Sequence, residues 1–351
     1  MAKLPISVCI IAKNEEKYIG DCLSRIKRYG FEIVVTDTGS TDSTKEIALQ
    51  YAGKVIDFEW INDFAAARNY CAKAASYNWI LALDCDEMME SFDEKAVRMM
   101  TQKYPKDRGM LNFKLMLRNA VGEECFEWDK MVRLYNKKYY EFQGAIHEQI
   151  VPRNDFDTRK HNPANIILPV NIVHLGYSIS GEEMEKKQQR NIELLRGCVE
   201  NEPGNSYLWF QLGQSHYIIK DYENAVLYYR KSLELLNGNL SAGHAQELLI
   251  SLSKAYAGLE QYEATLEVLL EYADRCKSAK YAYATALAYI ENEAPVKAML
   301  EFIKIIALPD AETLGSDLET CYGCIIDLYE QMGDPGMAEF FRNKRNERFY
   351  N

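Results

Sequence analysis

Four short apolar runs, each closed by polar residues and separated by helix-like segments, dominate the first ninety positions. Ile6 to Ala12, Phe31 to Thr36, Val55 to Phe58 and Trp79 to Leu83 are rich in β-branched residues and read as strands buried on both faces. Between them, Glu15 to Lys27 carries helical spacing at Ile19, Leu23 and Ile26, Ser43 to Tyr51 reads as a second helix, and Phe64 to Ser76 as an Ala-rich third. This alternation predicts a doubly wound parallel sheet. Ligands of such sheets sit at the carboxyl ends of the strands. The polar clusters Asn14-Glu15, Asp37 and Asp84-Cys85-Asp86 lie just past those ends.

From about residue 109 to 177 the chain reads as strand-rich and irregular, with strands at Asn112 to Leu117, Met131 to Tyr135, Ala145 to Val151 and Asn171 to His174. Arg153 to Pro163 is polar and reads as a mobile loop. After Gly181 the character changes to helix, and it repeats. Trp209, Leu212, Gly213, Tyr217, Tyr222, Ala225 and Tyr229 fit the tetratricopeptide pattern. A small residue recurs at Ala225, Thr265, Ala298 and Ala338, and Tyr256, Tyr289 and Tyr329 stand nine residues before the last three. The expected division is therefore an α/β domain over residues 1–180 and an all-α repeat domain over 181–351. An irregular bundle is the plainer alternative, and the fit of the first repeat argues against it.

Charge narrows the function classes. The net charge is −11, with 52 acidic and 41 basic residues, which disfavours general nucleic-acid binding because phosphate contacts need clustered Lys and Arg. The nine scattered cysteines do not form a secreted disulfide framework. Cys321 and Cys324 lack a second pair for zinc and read as buried small hydrophobes of a helix. With no signal peptide or membrane-spanning run, the expected location is cytoplasmic.

Four segments carry a resemblance. Ser7 to Glu16, Val35 to Asp42, Ala67-Arg68-Asn69 and Leu83 to Glu87 occur in order over about ninety residues and resemble the family 2 glycosyltransferases of GT-A fold, whose catalytic domain is Rossmann-like. Gly144-Ala145-Ile146-His147-Glu148 and His174-Leu175-Gly176-Tyr177, joined to tetratricopeptide-like repeats, are similar to the subgroup of lipopolysaccharide-core glucosyltransferases and bacteriocin S-glycosyltransferases.

The resemblance implies a role for each motif. Ala12, Asn14 and Glu15 would wrap the nucleotide, although Glu15 also suits the first turn of a helix. Asp37 would accept from base or ribose, while Ser40, Thr41 and Asp42 read as helix caps. Arg68 would bind phosphate or the Asp-x-Asp carboxylates; its plain alternative is a surface pair with Asp63. Asp84 would reach the ribose or a metal-bound water, beside Cys85, and Asp86 would ligate Mn²⁺ or Mg²⁺. Oxygen donors suit such cations, which also hold a departing diphosphate. An isolated Asp-x-Asp is more often a turn, and its place after an apolar strand reverses that reading. His174 would complete a metal shell of Asp84, Asp86 and His174. Acceptor-side chemistry falls to His147 and Glu148, with Glu148 as general base and Asp129 as competitor. The usual family signature for the base, an acidic pair before Gln-x-x-Arg-Trp, is absent. A thiol acceptor would need less help from a base.

The resulting expectation is an inverting, metal-dependent transferase that moves a hexose or N-acetylhexosamine from a UDP-sugar to a peptide or protein, with a lipopolysaccharide or other glycan acceptor as the alternative. The repeats would present a surface to the acceptor or to a second copy. A non-catalytic nucleotide-sugar-binding scaffold is the reading from another class, opposed by the intact Asp-x-Asp and Ala-Arg-Asn. A nucleotidyltransferase would need a Gly-rich loop after the first strand, which Ala12 to Glu15 does not supply.

Overall fold

The computed structural model describes residues 4–118, 124–175 and 181–350. It divides into two compact units, residues 1–184 and 185–351.

The first unit opens with the alternation read from the sequence: β1 (Ile6–Ala12), α1 (Ile19–Lys27), β2 (Glu32–Asp37), α2 (Thr44–Leu49), β3 (Lys54–Asp57), α3 (Phe64–Ala74) and β4 (Trp79–Leu83). These four strands are parallel, in the order β3-β2-β1-β4. Their side chains alternate between two cores. Ile6, Val8 and Ile10 of β1 join Leu81 and Leu83 of β4 and the α1 residues Ile19, Leu23 and Ile26 on one face. Cys9, Val34, Ile80 and Ala82 pack with Ala65, Cys71 and Ala72 of α3 on the other. Covering both faces is what makes the strands read as continuous apolar runs.

Beyond β4 the sheet is mixed. The next elements are β5 (Glu87–Phe92), α4 (Glu94–Lys103), β6 (Arg108–Arg118), β7 (Glu124–Asn136), β8 (Tyr140–Gln143), β9 (Gln149–Pro152), α5 (Thr158–His161) and β10 (Asn165–His174). Strand β7 runs antiparallel to both β4 and β6, β10 is parallel to β6, and β5 closes the eight-stranded sheet antiparallel to β10. The long β6–β7 hairpin supplies the antiparallel pair that the strand–helix alternation does not encode. Strands β8 and β9 form a separate ribbon. The expected strand from Ala145 begins only at Gln149, because Gly144 (φ 101°) and His147 (φ 53°) turn the chain in left-handed backbone conformations. The segment expected as a loop from Arg153 contains α5, capped by Asp157, whose carboxylate accepts from the Arg159 amide.

The second unit is helical. Helix α6 (Gly181–Asn201) leads into four pairs: α7 (Ser206–Ile218) with α8 (Tyr222–Leu236), α9 (Ala245–Gly258) with α10 (Tyr262–Tyr272), α11 (Ala279–Glu291) with α12 (Pro295–Ile305), and α13 (Ser316–Gln331) with α14 (Pro335–Phe349). The recurring small residues all fall at the fourth position of the second helix, and all are buried: Ala225, Thr265, Ala298 and Ala338. The first helix of each pair stops in the same way. Lys220, Glu260, Glu293 and Gly333 adopt positive φ, and the following amide bonds back to the carbonyl of His216, Tyr256, Tyr289 or Tyr329. That six-to-one bond is a Schellman stop. Cys321 is buried in the core shared by α11 to α14, and Cys324 packs partly against it. Among the described residues, no helix is long and apolar enough to cross a membrane.

Candidate active site

The buried strand β4 delivers its chain into the turn Asp84-Cys85-Asp86-Glu87, closed by a 3.2 Å bond from the Glu87 amide to the Asp84 carbonyl. The Glu87 side chain folds back and accepts from the Asp84 amide at 3.0 Å. The Cys22 thiol of α1 lies against the carbonyls of Asp84 (3.6 Å) and Glu87 (3.5 Å). Cys85 is buried, with its thiol 3.8 Å from the Ile11 carbonyl. Burial pushes that thiol well above its usual range. Only the main chain of Cys85 is therefore suited to contact a nucleotide.

Two guanidiniums grip Asp84. Arg68 Nη2 of α3 donates to Oδ1 at 2.7 Å, and Arg133 Nη2 of β7 lies 3.4 Å from Oδ2. Arg68 is 7% exposed and also donates through Nε to Glu148 Oε1 at 2.5 Å. Arg133 pairs in turn with Glu87, which is 0% exposed. Asp63, the other candidate partner of Arg68, instead caps α3 by accepting from the Ala66 amide. Burial alone would raise the Asp84 pKa, but the charges of Arg68 and Arg133 outweigh it and hold the carboxyl below its ordinary range. Burial moves Glu87 the other way, upward, with Arg133 opposing.

Asp86 faces a different partner. Its Oδ2 lies 3.3 Å from His174 Nε2, at the end of β10, and the Leu175 amide donates to its carbonyl at 3.0 Å. Burial disfavours the His174 cation, yet the bond to Asp86 and the neighbouring carboxylates raise its pKa. Gly176 and Tyr177, quoted with this motif above, lie outside the described residues. Among the described residues, no three His, Cys, Asp or Glu side chains converge as a closed metal site. The Asp86–His174 pair supplies one oxygen and one nitrogen donor, which suits a divalent ion that completes its shell with diphosphate oxygens and water. Both oxygens of Asp84 face guanidiniums.

The loops after β1 and β2 are stitched together. Ala12 ends β1 beside Asp37 of β2, and its carbonyl accepts from the Thr38 amide at 2.9 Å. Asp37 is 5% exposed and accepts from the amides of Gly39 and Ser40. Asn14 (φ 56°) donates its amide to Ser40 Oγ, and its Oδ1 accepts from the Thr41 amide at 2.8 Å. The Glu15 amide donates to Thr44 Oγ1, and the Glu16 amide to Asp42. Helix α1 starts only at Ile19, so Glu15 sits in the turn ahead of it and not in its first turn. Ser40 and Thr41 hold the neighbouring loop instead of capping α2, while Asp42 accepts from the Thr44 amide at that helix's start.

The remaining candidates separate. Glu148 joins the cluster through Arg68. His147 contributes its left-handed backbone to the loop that carries Glu148. Asp129 is exposed on β7, and its Oδ1 accepts from the amide of Lys130. Glu87 and Arg133 were missed by sequence reasoning. The signal for Arg133 was a cation inside the otherwise apolar run Met131 to Tyr135, and Glu87 adjoins the Asp-x-Asp.

Comparison with known proteins falls on this same region. Residues 7–107 match the family described as Glycosyl transferase family 2. That match runs from β1 through α4 of the first unit. The chain is 30% identical over 240 residues to the SPbeta prophage-derived glycosyltransferase SunS of Bacillus subtilis, covering 65% of this chain and 53% of that protein. It is 28% identical over 218 residues to a TPR repeat-containing protein of Synechococcus elongatus, covering 60% and 52%. The chain thus spans about half the length of these curated relatives. Among solved structures, MamA of Desulfovibrio magneticus RS-1 matches 47% of this chain and 91% of its own, at 17% identity and a TM-score of 0.37.

Proposed function

We propose that this chain is an inverting glycosyltransferase that takes a hexose or N-acetylhexosamine from a UDP-sugar and passes it to a peptide or protein. One observation carries the reading. At the carboxyl end of β4, inside the family 2 domain, the Asp-x-Asp turn meets Arg68, Arg133 and His174, residues drawn from three other elements. Catalytic donor sites of open α/β sheets form at such strand ends.

The chain's own groups divide the work. Asp86 and His174 would hold Mn²⁺ or Mg²⁺, which when bound stabilises negative charge on the departing diphosphate. Asp84, held between two guanidiniums, would meet the ribose or a metal-bound water. Among the described residues, Arg68 Nη1 is buried with no hydrogen-bond partner, and so offers one N–H to an incoming phosphate oxygen. Ala12, Asn14, Glu15 and Asp37 would line the nucleotide's end of the site, on the two loops tied to each other. Glu148, 12% exposed on the loop beside Arg68, is the better-placed carboxylate to receive the acceptor's proton; Asp129 lies outside the cluster. The peptide or protein acceptor is supported by the four stacked helix pairs, because repeat arrays offer extended surfaces to polypeptides.

The test is release of UDP from a panel of UDP-sugars, with and without Mn²⁺, by wild type and Asp86→Ala. Metal-dependent release from one donor, lost in the variant, is the expected result. No release and no donor binding with any sugar or metal would sink the proposal. Adding peptide, protein and glycan acceptors then separates the acceptor classes by which of them gains the sugar's mass.

A further inference from the structure

Behind the Asp-x-Asp turn lies a second ion pair. Arg133 stands on β7, the antiparallel strand inserted between β4 and β6. Its guanidinium lies over the Phe113 ring, 5.5 Å from the centroid, and its Nη2 faces both Glu87 and Asp84 Oδ2. Glu87 is fully buried and uses its other oxygen to accept from the Asp84 amide. The pair therefore touches Asp84 at both its main chain and its side chain. Burying two such charges is a poor way to gain stability, since apolar residues of similar volume do as well or better. A fixed orientation for Asp84 is what the pair provides and an apolar replacement would not.

We propose that Arg133, backed by Glu87, is a positioning residue of the donor site: it holds the Asp84 carboxylate in one plane with Arg68, keeps it from swinging onto the metal, and so leaves Asp86 and His174 to face the cation. The inference rests on the transferase reading above. Arg68 alone secures only Oδ1; without Arg133, the carboxylate is free to turn about that single bond.

The experiment compares wild type with Arg133→Met, Glu87→Gln, the two combined, and Arg133→Lys. Each is measured by thermal unfolding and by calorimetric titration with UDP, with and without Mn²⁺. Arg133→Met alone leaves Glu87 buried and unpaired, so it unfolds early. The combined variant carries neither charge and keeps an acceptor for the Asp84 amide, so its unfolding temperature returns to within about 3 °C of wild type. Its Mn²⁺-dependent UDP affinity nevertheless stays at least about tenfold weaker, of the order expected when a hydrogen-bond partner that orients a group beside a metal site is lost. Arg133→Lys keeps the charge balance but not the planar guanidinium whose Nη2 reaches both carboxylates. It stays folded and loses affinity several-fold. Wild-type affinity in both the combined variant and Arg133→Lys would show that the pair only fills the core, and would overturn the inference while leaving the transferase standing. A wild-type protein that binds no UDP with Mn²⁺ would overturn the transferase reading, and this inference with it.

Discussion

Arg68 Nη2 of α3 lies 2.7 Å from Asp84 Oδ1, so a helix that follows β3 is locked to the end of β4. The same guanidinium holds Glu148 at 2.5 Å, and the side chain is almost fully buried. Removing it leaves two carboxylates in a poorly hydrated site with one cation, Arg133, in place of two. Arg68→Met should therefore cost about 3–5 kcal/mol of stability, the range for breaking a buried pair from one side. Urea unfolding would check this. Arg68→Lys restores a charge but cannot span both carboxylates, and should recover less than half of the loss. A cost below 1 kcal/mol for Arg68→Met would show that the pair is hydrated and structurally idle.

Asp86 and His174 should govern metal dependence together. His174→Gln keeps a polar side chain but removes the imidazole donor, and should raise the Mn²⁺ concentration for half-maximal UDP release by about 10–100-fold. Asp86→Asn should be more severe, since a neutral amide is a poorer ligand for a hard cation than a carboxylate. Asp129→Asn should leave the metal requirement unchanged, because that side chain is exposed and its Oδ1 accepts from its neighbour's amide. Equal metal requirements in wild type and His174→Gln would remove His174 from the site.

Much of this architecture was legible because local signals and tertiary outcome agree. Ile6–Ala12 and Trp79–Leu83 match the observed strands to the residue, since strands buried on both faces read as nearly continuous apolar runs with clear ends. Arg68, Asp84 and Asp86 were found through motifs, and the contact of Arg68 with the Asp-x-Asp carboxylates was expected from the family resemblance alone: it depends on α3 packing across β1 and β2, which no local pattern reports. Strand β5, and the antiparallel place of β7 between β4 and β6, were missed for a related reason, although part of β7 was read as a strand at Met131 to Tyr135. Glu87 to Phe92 opens with a buried carboxylate whose partner, Arg133, stands 46 residues away. Periodicity read in a short window treats such a residue as loop. The helix stops of the second unit were legible only as spacing, because three of the four left-handed positions carry Lys or Glu in place of Gly.

A pH effect should arise away from the active site. Glu32, at the start of β2, accepts from Ser7 Oγ at 2.5 Å, from Ser76 Oγ at 2.6 Å and from the Ser76 amide at 2.8 Å. Partial burial opposes ionisation, but these bonds and Lys54 overcome it and bring the pKa from 4.5 down to about 2. The folded state thus binds this proton more weakly than the unfolded chain does. The stabilisation is complete above about pH 5 and is lost as pH falls from there towards 2. Allowing for partial exposure, it amounts to about 1–2 kcal/mol. Glu32→Gln should lower the urea midpoint at pH 7 and flatten its decline between pH 5 and 3. A parallel decline in both proteins would show that other carboxylates dominate acid unfolding.

The repeat unit offers a sharper test of backbone physics. Lys220, Glu260 and Glu293 occupy the left-handed position that Gly333 fills in the fourth pair. An L-residue there costs about 1 kcal/mol relative to glycine, offset in part by the greater freedom glycine gives the unfolded chain. Glu293→Gly should therefore stabilise the protein by about 0.5–1 kcal/mol, and Gly333→Ala should destabilise it by a similar amount. Helix-interior glycines should behave oppositely according to their surroundings. Gly197→Ala in α6 meets no atom within 4 Å and should gain about 0.5–1 kcal/mol from helix propensity. Gly213→Ala would place a methyl 2.5 Å from the Tyr229 ring and should cost about 1–3 kcal/mol despite the same propensity gain. Tyr229 is fully buried and its hydroxyl is held by Gln214 at 2.8 Å, so the ring cannot step aside cheaply. If Gly213→Ala proved as stabilising as Gly197→Ala, the close approach of α7 and α8 at Gly213 would be wrong, and with it the packing that stacks the first helix pair.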